Sequence, residues 1–156
     1  MKATWAGILL LTVGCSADRS GPSGPTTTAD GLVLRVAASP AAIVPGQSLT
    51  VAVTLMNPTT SEVTLHFSDS CQLLYAIEDT SGATVSPSFA CLTMLTTLSL
   101  PAGSTKEVTS VWDGRRELPS GGSAPVPAGS YRVYGVLGHG PTRSQAVTIM
   151  VRAGDR

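Results

Sequence analysis

The chain has 156 residues, with ten basic side chains against ten acidic ones, so no strong field advertises nucleic acid and no charged tail advertises disorder. Only 13% of residues are charged while 42% are hydrophobic, and 16 Gly and 11 Pro punctuate the sequence. That balance disfavours a coiled coil and suits one all-β domain with many turns.

Lys2 precedes an uncharged, mostly apolar run from Ala3 to Val13. The run is about half the ~20 residues needed to cross a bilayer as a helix, the length of a signal-peptide core. It stops at Leu11-Thr12-Val13-Gly14-Cys15, followed by the polar Ser16-Ala17-Asp18-Arg19. A small residue before a cysteine at that point resembles the lipobox of bacterial lipoproteins, although Thr12 stands where that motif usually has Leu. The resemblance implies a signal peptide over 1–14, a lipid on Cys15, an exported protein and a membrane-anchored location in the cell envelope. Ordinary cleavage after Ala17 and an uncleaved anchor are the alternatives. Three cysteines would leave one thiol over. With Cys15 lipidated, Cys71 and Cys91 remain as an even pair for a disulfide in an oxidising compartment. Residues 15–30, rich in Gly, Pro, Ser and Thr, read as a flexible tether.

From residue 31 to 153 the pattern changes to short strands. Leu32, Leu34 and Val36 alternate with Val33, Arg35 and Ala37; after Pro45-Gly46, Leu49, Val51, Val53 and Leu55 do the same. Asn57-Pro58-Thr59-Thr60 predicts a turn, after which Val63, Leu65 and Phe67 form an inward face, then Leu73, Tyr75 and Ile77. Asp79-Thr80-Ser81-Gly82 predicts a hairpin-type turn returning through Ala83-Thr84-Val85. Leu92 to Leu100 is apolar without clean alternation, so helix and strand both stay open there. Lys106 to Trp112 follows, and Asp113 to Ala128 is the longest break, dense in Gly and Pro, and reads as a long loop. Tyr131, Val133, Gly135 and Leu137, then Val147, Ile149 and Val151, close the domain. Seven or eight strands with turns every ~8–12 residues predict an antiparallel immunoglobulin-like β-sandwich.

Chemistry is sparse. His66 belongs to the polar face of its strand and His139 to the turn Gly138-His139-Gly140-Pro141, so both are expected on the surface. A site joining them with Cys71 lacks ligand spacing, and the disulfide competes for the sulfur. There is no nucleophile elbow, zinc-protease pair or phosphate loop. Trp112, Tyr131 and Tyr134 read as core and strand-pairing aromatics. No enzyme, cofactor or metal is expected.

Several segments in a fixed order carry a family likeness: V-T-L-M-N-P at 53–58, V-T-L-H-F at 63–67, L-L-Y-A-I-E-D-T-S-G at 73–82, L-P-A-G-S at 100–104, V-W-D-G at 111–114 and P-A-G-S-Y-R-V-Y-G-V-L at 127–137. This order resembles the BsuPI family, the intracellular proteinase inhibitor domain, over roughly 32 to 137. The chain departs from it in its Cys71 and Cys91 pair, in Val85-Ser86-Pro87 and in its export signal. The resemblance implies a β-sandwich and a protein partner, a protease among the candidates. The other reading is a structural or adaptor domain of the envelope without inhibitory activity. Within the long loop, Asp113-Gly114-Arg115-Arg116-Glu117-Leu118-Pro119 offers a dibasic pair and a restraining proline, so Arg115, Arg116 and Leu118 are the candidate binding loop for a trypsin-like enzyme. Against this, two arginines also simply solvate a turn.

Overall fold

The computed structural model describes residues 24–154, so the expected signal peptide over 1–14, Cys15 and the expected tether up to residue 23 lie outside the described residues. Twelve strands and no helix make up the described chain. In chain order they are β1 (Thr26–Thr27), β2 (Val33–Ser39), β3 (Ala42–Ile43), β4 (Leu49–Met56), β5 (Val63–Phe67) and β6 (Leu73–Glu78). These are followed by β7 (Thr96–Leu100), β8 (Thr105–Trp112), β9 (Arg115–Glu117), β10 (Ser123–Pro125), β11 (Gly129–Leu137) and β12 (Val147–Val151).

Two four-stranded sheets form a β-sandwich, in the orders β1-β2-β4-β8 and β3-β12-β11-β6. All pairings are antiparallel except β3 with β12. The inward faces are the alternating apolar sets read from the sequence. Leu34, Val36 and Ala38 of β2 and Leu49, Val51, Val53 and Leu55 of β4 are buried against Tyr75 and Ile77 of β6 and Tyr131, Val133, Ile149 and Val151 of β11 and β12. Period-2 patterning with one buried face fixes register, because a one-residue slip would turn every one of these side chains to water.

The ribbon β5-β7 pairs Val63 with Leu100 and Phe67 with Thr96. Its Val63–Leu100 end joins the β4 and β8 ends of one sheet, and its Phe67 end leads into β6 of the other, so the ribbon closes one end of the sandwich. Leu100 is buried there, while Val63, Leu65 and Leu98 are only partly covered. Asn57, fully buried at the foot of β4, holds the ribbon down. Its Nδ2 donates to the carbonyls of Ser61 and Leu100 at 2.8 Å and of Pro101 at 3.2 Å. Its Oδ1 accepts from the Thr59 amide at 3.0 Å and hydroxyl at 2.7 Å.

At the other end Trp112 and Tyr131 pack with ring centroids 6.2 Å apart. Both bury their polar atoms with a partner: the Trp112 indole donates to the Arg115 carbonyl, and the Tyr131 hydroxyl to the Pro127 carbonyl, each at 2.7 Å. The second ties the start of β11 back to the chain four residues upstream. The Asp79 turn forms as expected, its Oδ1 accepting from the Ser81 amide and hydroxyl and the Ala83 amide. The Ser81 hydroxyl and the Ala83 amide hold that carboxyl below its usual range.

Three expectations change and one open segment is settled. There are twelve strands where seven or eight were expected, because short pairings add to the long ones. β1 lies inside the segment read as tether, with Thr26 and Thr27 paired to Leu34 and Val33. Residues 92–95 have no regular structure and 96–100 are strand, which settles the open segment. The long break after Trp112 is a hairpin, β9 on β10, pairing Glu117 with Ser123 and Arg115 with Pro125. Dense Gly and Pro serve its turn, where the Leu118 amide donates to Gly122 and the Gly121 amide to Leu118.

Burial pushes the Tyr75 phenol up to about 12, with the Asp113 charge adding a smaller push. The folded state thus holds this proton more tightly than the unfolded chain, which releases it near pH ~10. Stability from this group is intact below pH ~10 and is lost as pH rises toward 12. Alkaline titration of unfolding should therefore show a decline across that window, and Tyr75→Phe should flatten it. Equal slopes in both proteins would refute the assignment.

Candidate functional site

Three loops meet beside the closed end of the sandwich. They are the β5–β6 connection with Asp69 and Cys71, the β6–β7 connection with Cys91, and the β11–β12 connection with His139. Cys71 and Cys91 form the expected disulfide, with Cα atoms 5.5 Å apart and a sequence separation of 20. In the chain-entropy view such a closure is worth about 3 kcal/mol. Bonds without sulfur reinforce it. The Ser70 amide donates to the Leu92 carbonyl at 3.0 Å, and the Leu92 amide donates to the Ser70 hydroxyl at 2.9 Å. The Thr96 hydroxyl donates to the Asp69 carbonyl at 2.6 Å, and the Gly138 amide to the Gln72 carbonyl at 2.8 Å.

Between these anchors the chain bulges outward. Leu92, Met94 and Leu95 are 68%, 51% and 87% exposed, the densest run of exposed large apolar side chains among the described residues. Phe89, on the inner side of the same connection, packs edge-on to Tyr75 with centroids 5.2 Å apart. The segment is thus seated by Phe89, stapled at Cys91, pinned again at Leu92 and Thr96, and free in between.

A cleft of about 420 Å³ runs beside it, lined by both histidines, Asp69, Phe67 and Gly138. Gly138 has φ +57°, and a Cβ there would come within 2.9 Å of the Phe67 ring. A side chain at 138 would therefore strain the backbone and push the His139 loop off Phe67. Both histidines are exposed, as the sequence suggests. His139 nevertheless has partners: its Nε2 lies 3.2 Å from the Cys91 sulfur and 3.6 Å from Asp69 Oδ2. Asp69, Cys71, Cys91 and His139 bring one ligand atom each to within 4.8 Å of one another. Sequence reading misses this group, whose members come from three separate loops. His66 lines the cleft but stays outside the group.

The dibasic segment lies elsewhere, on the hairpin that follows β8 at the opposite end of the sandwich. The Arg115 side chain is clasped by Ser123, donating to its hydroxyl at 2.9 Å and its carbonyl at 3.0 Å. Arg116 is exposed and Leu118 half-buried. On the outer face of the second sheet, Glu78 pairs with Arg143 and Arg132, and both arginines lie beside the Tyr134 ring. This cluster compensates a buried carboxylate, and Tyr134 shares in it instead of joining Trp112 and Tyr131 in the core.

Among solved structures, the chain is similar to a part of the beta-glucosidase from Listeria innocua in complex with isofagomine. The identity is 18% and the TM-score 0.47, covering 80% of this chain and 16% of that one. A beta-glucosidase from Erythrobacter marinus gives 16%, TM-score 0.48, and 85% and 15% coverage. The alkylpurine DNA glycosylase AlkC from Pseudomonas fluorescens gives 17%, 0.48, and 74% and 29%. This chain therefore spans about a sixth of each glucosidase, and nothing of their activities passes to it. No curated protein matches it. Residues 36–141, two-thirds of the sequence, match the family described as intracellular proteinase inhibitor, and the chain belongs to that BsuPI family.

Proposed function

We propose that this protein is a non-catalytic inhibitor of a serine-type proteinase, exported and held at the cell envelope by lipid on Cys15. The observation that carries the inhibitory reading is the exposed apolar segment Leu92–Leu95, stapled at its start by the Cys71–Cys91 disulfide. A proteinase binds its inhibitor as it binds substrate, as an extended stretch entering the active-site cleft. Affinity is gained when that stretch is already ordered, because little conformational entropy is left to lose. Three bonds and a disulfide order this one. Leu92, Met94 or Leu95 would fill a large apolar primary pocket of the subtilisin or chymotrypsin kind. Membership of an inhibitor family supports the same reading.

A second contact is favoured by one observation, the exposed Arg116 on the β9–β10 hairpin, which fits a trypsin-like pocket. The two readings separate by experiment. The full chain is titrated against subtilisin-like, chymotrypsin-like and trypsin-like enzymes, with Met94→Glu, Leu95→Glu, Arg115→Ala and Arg116→Ala beside it. Inhibition of an apolar-pocket enzyme, weakened at least ~100-fold by a glutamate, is expected, since a charge in an apolar pocket forfeits about 3 kcal/mol or more. Loss confined to the arginine variants, against trypsin-like enzymes, would transfer the contact to the hairpin. Absence of inhibition throughout would leave the structural or adaptor reading. Mass spectrometry of the mature N-terminus tests the anchor: a diacylated Cys15 supports it, and a bare terminus at Asp18 refutes it.

A further inference from the structure

We propose that, when its disulfide is reduced, this protein binds one zinc ion through Cys71, Cys91, His139 and Asp69. Two thiolates, an imidazole and a carboxylate are a donor set that zinc takes in tetrahedral geometry. With bonds of about 2.3 Å to sulfur and about 2.0–2.1 Å to nitrogen and oxygen, the edges of that tetrahedron are ~3.3–3.8 Å. Two such edges are already near these lengths, with His139 Nε2 3.2 Å from the Cys91 sulfur and 3.6 Å from Asp69 Oδ2. The sulfurs must separate to ~3.8 Å, which rotation about the side-chain bonds supplies when the Cα atoms are 5.5 Å apart.

The rest of the site does not depend on sulfur. Asp69 Oδ1 accepts the Cys71 amide at 2.8 Å, which fixes the carboxylate and aims Oδ2 at the histidine. Such a bond behind a ligand orients it for a metal. The Ser70–Leu92, Asp69–Thr96 and Gln72–Gly138 bonds hold the three loops together whether or not the cysteines are joined.

The chemistry balances with a dithiol reductant. The dithiol is oxidised to its own disulfide as the Cys71–Cys91 bond gains two electrons and two protons and becomes two thiols. Zinc then displaces those two protons to solvent, while neutral His139 gives a lone pair and ionised Asp69 one oxygen. The disulfide and the ion are mutually exclusive fastenings of the same loops, one for an oxidising and one for a reducing compartment.

The test uses the full chain, reduced by a dithiol that is then removed under nitrogen, and zinc sulfate in competition with a chromophoric chelator. Native mass spectrometry counts the metal, and near-ultraviolet circular dichroism reports the fold. One zinc per reduced, folded chain is expected, with none on the oxidised chain. His139→Ala and Asp69→Asn should weaken binding at least ~10-fold, while His66→Ala should not. The proposal is overturned if the reduced chain takes up no zinc at micromolar concentration. Equal uptake by the oxidised chain, equal weakening by His66→Ala, or a near-ultraviolet signal that reduction abolishes and zinc does not restore would also overturn it.

Discussion

Asn57→Ala should destabilise the fold by about 4 kcal/mol, seen as a midpoint shift in chemical denaturation and a fall of roughly 15 °C in Tm. Asn57 is fully buried, and its amide serves three carbonyls while its oxygen serves two donors of Thr59. Alanine strands these partners at the seam between β4 and the β5–β7 ribbon, where the bond to the Leu100 carbonyl is buried. Each stranded group costs about 1–3 kcal/mol, less where water can reach it. Asn57→Asp is the sharper control. It keeps the acceptor facing Thr59 but sets a carboxylate oxygen against three carbonyls, so it should be at least as damaging as alanine. A loss under ~1 kcal/mol in both variants would show that the ribbon is held by its apolar contacts alone.

Gly135→Ala should cost about 3 kcal/mol, and Gly135→Val should leave little folded protein. Gly135 lies in β11, and a Cβ there would stand 2.9 Å from Val53 Cγ1 and 3.2 Å from the Arg35 carbonyl. Val53 is itself buried, and the carbonyl belongs to the backbone of β2, so neither yields cheaply. Overpacking of this kind typically costs 1–3 kcal/mol. The glycine lets the two sheets meet here at backbone distance. Its amide also donates to the Ser144 hydroxyl at 2.8 Å, a bond that would move with the sheet. Denaturant midpoints measure the loss. An alanine variant as stable as the parent would mean that the sheets part at no cost.

The long strands are legible because each has one face in the core and one in water. Leu49, Val51, Val53 and Leu55 alternate with residues that stay partly or fully exposed, and period-2 alternation needs no long-range information. β6 obeys the rule on its inward face, but Ala76 and Glu78 of its outer face are buried too. The hairpin after Trp112 escapes because its strands are three residues each and polar, so only its turn residues speak. Asn57 reads as the start of an Asn-Pro turn, which it is; that the same side chain is buried depends on a strand whose Leu100 lies 43 residues later. The zinc ligands and the exposed apolar bulge escape for a related reason. Cys91 and His139 are 48 residues apart and meet only because β6 and β11 are neighbours in one sheet. Legibility ends where function depends on which loops the topology gathers.

The order β1-β2-β4-β8 leaves its last member without a ladder partner on one side. The other edges of the two four-stranded sheets carry short additions: two-residue β1 lies on β2, two-residue β3 on β12, and β6 meets Thr84 in a single bridge. In the two four-stranded sheets β8 is the longest such edge, eight residues with no second ladder partner. A strand borrowed from a second chain could lengthen this sheet there. Lys106 and Glu107 stand on that strand, both exposed, so an incoming apolar segment would have to desolvate a charge of each sign. This margin therefore resists an added strand, while three of the five exposed large apolar side chains among the described residues, Leu92, Met94 and Leu95, stand together on the bulge.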